Sequence, residues 1–164
     1  MSEERRILGL DFGEQNIGVA ISDPLNLTAQ PLKTITYRRP EELWAQLDEI
    51  FSRYSVAEVV VGLPVHMHGE PSRISRRVEA FAESVRRRYG KEVTLWDERL
   101  SSKVAENAIR EMGKRPGKQK KRIDLISAIW ILQGYLDRIA FQKQERERRK
   151  IQAERQAEAD GPEV

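Results

Sequence analysis

The chain has 164 residues, enough for one domain with a sizeable core, and its lack of cysteine excludes disulfides and thiolate metal sites. The 29 Lys and Arg against 26 Asp and Glu leave a net charge of +3, too small an excess to indicate a polyanionic partner by itself. No apolar run approaches a membrane span and the opening Met-Ser-Glu-Glu-Arg-Arg leads into no signal-peptide core, so the sequence reads as cytoplasmic.

Residues 5–11 and 17–23 read as two strands joined by a Gly-containing turn from Phe12 to Asn16. Pro31 to Thr36 reads as a third strand, whose leading proline suits an edge. Leu43, Trp44, Leu47, Ile50, Phe51 and Tyr54 recur at helical spacing. Val59-Val60-Val61 is the β-branched run expected of a parallel strand covered on both faces. A second helix carries Ile74, Val78, Phe81, Ala82 and Val85 on one side and stops near Gly90. Val93 to Trp96 is a fifth strand. Ser101 or Ser102 caps a helix that runs through Met112, and a basic loop from Lys114 to Lys121 follows. A last helix holds Ile123, Ile126, Ile129, Trp130, Leu136 and Ile139. Three antiparallel strands followed by α/β alternation predict an α/β fold, a mixed five-stranded sheet with helices on its faces.

Residues 1–141 are expected to form this domain. Residues 142–164 are nearly all Gln, Glu, Arg, Lys and Ala, with as many acids as bases. They read as a charged helical extension or a disordered tail, because ion pairs along an exposed helix contribute only about 0.2–0.5 kcal/mol each.

Three acidic positions stand out. Asp11 closes the first strand, Asp97 and Glu98 close the fifth, and Asp124 is expected in the first turn of the last helix. Side chains alternate along a strand, so only one of Asp97 and Glu98 can share a face with Asp11, and spacing does not choose between them. Each acid also has an ordinary reading: Asp11 caps a turn, Asp124 caps a helix, Glu98 pairs with Arg99. Gathered at the strand ends, however, they would repel one another unless a hard divalent cation, Mg²⁺ or Mn²⁺, neutralised them. Two such ions roughly 3.5–4 Å apart support phosphodiester cleavage.

Positive charge is clustered. Arg73, Arg76, Arg77 and Arg86 to Arg88 fall in one segment, and Lys114, Arg115, Lys118, Lys120, Lys121 and Arg122 in another. Arg73, Arg76, Arg77, Arg99, Lys118, Lys120, Lys121 and Arg122 are the candidates for holding a phosphate backbone. The plainer reading is solvated helix and loop surface. His66 and His68 lie in a Gly/Pro loop with no third ligand nearby and are expected to be exposed or to face phosphate.

The strings LGLDFG…IGVAISD, VVVGLP, DERLSS and IDLISAIWILQGYL, in this order over about residues 5–140, resemble the YqgF family. This is the Holliday junction resolvase-like or pre-16S ribosomal RNA nuclease family of the RNase H-like superfamily. The resemblance implies an RNase H-like fold with Asp11, Glu98 and Asp124 as catalytic residues and divalent-metal ligands, and it prefers Glu98 to Asp97. It implies a metal-dependent nuclease that processes the 5′ end of precursor 16S ribosomal RNA, with that RNA, branched DNA or the ribosome as partners, acting as a monomer or a homodimer. The chain departs from the family pattern at Gln15-Asn16, where a basic pair is usual, and at His66 and His68, where Asn and Asp are usual. Three other readings compete. One is a Holliday junction resolvase-like DNA nuclease. Another is a non-catalytic RNA-binding factor of ribosome assembly. The third is an actin-like sugar or acetate kinase, which also begins with an Asp-x-Gly hairpin but needs a second such domain.

Overall fold

A computed structural model describes residues 4–63, 73–98 and 119–162. In chain order it contains β1 (Arg6–Phe12), β2 (Asn16–Ser22), β3 (Ala29–Thr36), α1 (Pro40–Arg53), β4 (Val56–Leu63), α2 (Arg73–Tyr89), β5 (Glu92–Asp97) and α3 (Gln119–Ala159). The strands form one mixed sheet in the order β3-β2-β1-β4-β5, the five-stranded arrangement expected from the element order. The β1–β2 and β2–β3 pairs are antiparallel; β1–β4 and β4–β5 are parallel. The helix expected from Ser101 to Met112, and the loop holding His66 and His68, lie outside the described residues.

Each face of the sheet is apolar for a different helix layer. Leu8, Leu10, Ile17, Val19, Val59 and Val61 pack with Leu43 and Leu47 of α1 and with Val78 and Phe81 of α2. Ile7, Ala20, Val60 and Trp96 alternate with them and pack against Ala128, Ile131, Leu132 and Leu136 of α3. The central strands therefore carry hydrophobic residues at successive positions, which is why Val59-Val60-Val61 reads as a continuous run. Pro31 sits on the edge strand β3, as expected. The register slips there, from Val19 opposite Lys33 to Ala20 opposite Pro31, an irregularity that an edge absorbs readily.

α3 differs from expectation at its start. It begins at Gln119, so Lys120 and Lys121 belong to the helix and not to the preceding loop. Lysine is a good helix former, so a basic run beside Gly and Pro marks the loop without marking its end. Asp124 consequently lies in the second turn, where the helix dipole contributes little. α3 then runs antiparallel to β1. Near its middle Gln133, only 3 % exposed, accepts the Ala29 N–H at 2.8 Å and donates to the Leu27 carbonyl at 3.0 Å. These bonds fasten α3 to the β2–β3 loop. The helix continues through the charged segment to Ala159, 41 residues in all, or about 62 Å at 1.5 Å per residue.

Candidate active site

Strand alternation decides which acids can meet. Gly9 and Asp11 of β1 share the sheet face that α3 covers. On β4 and β5, Gly62 is the register partner of Trp96, which packs against α3, and Leu63 is the partner of Asp97. Leu63 packs on the opposite side of the sheet. Asp97 therefore occupies a position of that opposite face, and Glu98 follows on the α3 face. The Glu98 N–H bonds the Leu63 carbonyl at 3.3 Å, which carries the parallel pairing one residue past the end of β5. This register puts Glu98, and not Asp97, on the face of Asp11.

Asp124 reaches the same place from above. Its backbone carbonyl lies directly over Gly18, and Gly18 is the antiparallel partner of Asp11. A Cβ at Gly18 would collide with that carbonyl. At Gly9 a Cβ would lie 2.7 Å from Leu132 Cβ, and at Gly62 one would lie 2.9 Å from Glu98 Oε1. Three glycines on one sheet face thus let α3 settle on the strands and leave room for the Glu98 carboxylate. The small residues Ser127 and Ala128 of the helix are only half of this arrangement. An isolated Gly within a strand pattern is the available sequence signal for close backbone approach.

The resulting cluster is electrostatically tense. The Asp11 carboxyl is pushed up to about 8, first by burial, then by the charge of Glu98, by a hydrogen bond with Glu98 and by the charge of Asp124. A hydrogen bond from Ser127 opposes this rise. Glu98 is also raised, chiefly by burial and further by the charge of Asp97, while its bond to Asp11 lowers it. The two carboxyl groups thus share a hydrogen bond and are held as a pair above the ordinary carboxylate range, one proton serving both. Among the described residues no three His, Asp or Glu side chains lie close enough together to hold a metal ion as a group. Asp11 and Glu98 meet directly, and Asp124 acts on Asp11 through its charge. Buried, mutually repelling carboxylate oxygens are the donor set that a hard divalent cation fits, since a cation can take the place of the shared proton.

Space opens on both flanks of these acids. A cavity of about 190 Å³ is bordered by Glu98, Ile126, Ser127, Trp130 and Ile131. A second hollow of about 290 Å³ is bordered by Asp124 and by Gly13 to Asn16 of the β1–β2 turn. Tyr37 steadies that turn by donating to the Gly13 carbonyl at 2.9 Å.

The basic candidates separate into distinct groups. Arg77 pairs with Glu14, which brings the start of α2 to the β1–β2 turn beside the second hollow. Arg73 and Arg76 are exposed on the same stretch of helix. Arg86 and Arg87 pair with Glu83, and Arg88 binds Asp48 at 2.6 Å with its guanidinium over Trp44. The six arginines of this segment therefore do not form one phosphate-binding set: the last three serve the domain's own surface. Arg99 and Lys118 lie outside the described residues, as do the side chains of Lys120, Lys121 and Arg122. The backbone of these last three occupies the first turns of α3, just before Asp124.

A family model described as RuvX, Holliday junction resolvase, matches residues 5–138. The chain belongs to the RuvX family. Among its relatives is a Lachnospira eligens protein named "Putative pre-16S rRNA nuclease", 43% identical over 135 residues that cover 80% of this chain and 96% of that one. A Desulfitobacterium hafniense protein of the same name is 46% identical over 134 residues, covering 82% and 93%. Two solved structures share the fold. Thermus thermophilus RuvC superposes with a TM-score of 0.53 at 15% identity, over 82% of this chain and 96% of that one. RuvC in complex with a Holliday junction substrate gives 0.52 at 16% identity, over 79% and 91%.

RuvX proteins are a nuclease family, and the fold of this member is RNase H-like. In this RuvX chain Asp11, at the end of the first strand, meets Glu98, beyond the last; Glu98 borders one hollow and Asp124 the other. Among the described residues no helix is long and apolar enough to cross a membrane.

Proposed function

We propose that this RuvX protein is a divalent-metal-dependent endonuclease that processes the 5′ end of precursor 16S ribosomal RNA in the cytoplasm. The observation that carries this reading is the meeting of Asp11 with Glu98, under the charge of Asp124, at the strand ends beside the hollows that Glu98 and Asp124 border. Asp11, Glu98 and Asp124 are the catalytic residues and would hold Mg²⁺ or Mn²⁺. When bound, the metal supplies an activated water and stabilises the leaving oxygen of the phosphodiester.

The chain's own groups do the rest. Asp11 gives up the proton it shares with Glu98, so that both present anionic oxygens. Ser127 orients Asp11 by its hydrogen bond, and that bond favours the ionised form. Gly18 and Gly62 keep the crevice open at the level of the acids. Arg73, Arg76 and Arg77 position the phosphate backbone without reading sequence. Arg99, Lys118, Lys120, Lys121 and Arg122 add to the same hold.

Ribosomal RNA is favoured as substrate by the names of the relatives, and branched DNA is the second reading, favoured by the RuvC likeness. Incubating the purified protein with labelled precursor 16S RNA and with a four-way DNA junction, each with Mg²⁺, Mn²⁺ or EDTA, separates them. The expected result is metal-dependent cut RNA and an intact junction. A cut junction with intact RNA would transfer the activity to DNA. No cleavage of either would leave a non-catalytic binding protein.

A further inference from the structure

α3 leaves the sheet at the end opposite the acidic crevice. Asp124 lies over Gly18 near the crevice, Leu132 over Gly9, and Tyr135 bonds Glu58 near the start of β4. Beyond Phe141 the helix is exposed on nearly every side. Its overall neutrality hides a segregation of charge. Residues 143–150 hold five bases against two acids, a net +3; residues 151–164 hold one base against four acids, a net −3. In the proximal stretch Arg148 pairs with Glu145 at a loose 3.8 Å, and among the described residues Lys143, Arg146, Arg149 and Lys150 have no ion-pair partner. Phe141 is 63% exposed beside them. Together with Gln142, Glu145, Arg146 and Arg149 it borders a hollow of about 360 Å³.

Unpaired guanidinium groups beside an exposed aromatic ring suit a nucleic-acid strand, phosphate on the cations and a base against the ring. Phe141 lies 17 residues beyond Asp124 and Lys150 lies 26 beyond it. On a continuous helix these offsets are about 26 Å and 39 Å.

We propose that the proximal half of the extension, Phe141 to Lys150, is a second nucleic-acid contact that holds the distal part of a long substrate whose scissile phosphate lies in the acidic crevice. The acidic distal half repels the backbone and ends the contact near Ile151. For the crevice end of the substrate, this rests on the nuclease reading above.

The test compares two labelled RNA hairpins, one of about 8 base pairs, too short to reach from the acidic crevice to Phe141, and one of about 25, long enough to pass Lys150. In the full chain, Arg146→Gln, Arg149→Gln and Lys150→Gln together should weaken binding of the long hairpin about tenfold at moderate salt. They should flatten its salt dependence by roughly two to three counter-ions. The short hairpin should bind and be cut as by the wild type. Arg146→Lys with Arg149→Lys, position 150 left as lysine, keeps the charge and should bind the long hairpin as the wild type does. Truncation after Gln152 removes the acidic half and should tighten long-hairpin binding, whereas truncation after Phe141 should weaken it. Equal salt slopes in wild type and glutamine variant would overturn the proposal. So would equal weakening of both hairpins, or failure of the lysine variant to bind. An extension that serves an acidic protein partner would give the first of these results. Cleavage is scored on the short hairpin, so long-hairpin binding that behaves as described without any cleavage would overturn the nuclease reading alone and uphold this contact.

Discussion

Asp11 and Gly18 are register partners across the β1–β2 pair, and the missing side chain of Gly18 is what allows α3 to set Asp124 beside Asp11. Gly18→Ala would push a methyl group into the backbone carbonyl of Asp124. We expect the helix to lift locally, at a cost of about 1–3 kcal/mol. Cleavage should fall by at least an order of magnitude while circular dichroism stays native. Full cleavage by Gly18→Ala would show that the spacing of α3 does not set the site.

Asp11→Asn keeps size and removes charge. Cleavage should drop by orders of magnitude, because the loss is of cation affinity and not of packing.

The same substitution has an opposite effect on stability. The folded-state value of Asp11, about 8, lies above its ordinary 3.8. The folded protein thus holds a proton that the unfolded chain releases, and stability is lost as pH rises from about 4 to 8. In EDTA, Asp11→Asn should melt at the wild-type temperature near pH 4 and clearly above it at pH 8. Added Mg²⁺ should raise the melting temperature of wild type at pH 8 and leave Asp11→Asn unmoved. Identical melting curves at every pH would mean that Asp11 is not strained.

The Asp48–Arg88 pair behaves conventionally. Hydrogen bonds from Arg88, then from Tyr89, hold Asp48 down to about 2, so its contribution is present above pH 3.8 and lost as pH falls toward 2. The pair is solvent-exposed, so the effect is small. Asp48→Asn should melt slightly below wild type at pH 7 and together with it at pH 2.

Arginines on one helix should differ in function. Replacing Arg73, Arg76 and Arg77 by Gln should flatten the salt dependence of RNA binding by roughly two to three counter-ions. Replacing Arg86 and Arg87, which pair with Glu83, should leave it unchanged. Equal effects would mean that the helix binds through its general charge.

Truncation after Phe141 should leave the melting temperature nearly unchanged. The last buried apolar residue of α3 is Leu136, with Ile139 packed beside it, so the extension adds nothing to the core.

Local pattern made much of this protein legible. Continuous apolar runs marked the central strands, because both of their faces are buried, and period-3.6 spacing marked the helices, because each packs one face on the sheet. The element order implied the mixed sheet, and Asp11 stood out as a carboxylate ending an apolar strand. Other features are relations between distant segments. Whether Asp97 or Glu98 turns toward Asp11 depends on which residue of β4 pairs with β5. Gly18 matters because a helix over 100 residues later lies upon it. Arg86, Arg87 and Arg88 looked like part of a phosphate-binding cluster until Glu83 and Asp48 were found beside them. A strand's periodicity records that it has a buried face, whereas the partner residue on that face is set by long-range pairing, and only the folded chain supplies it.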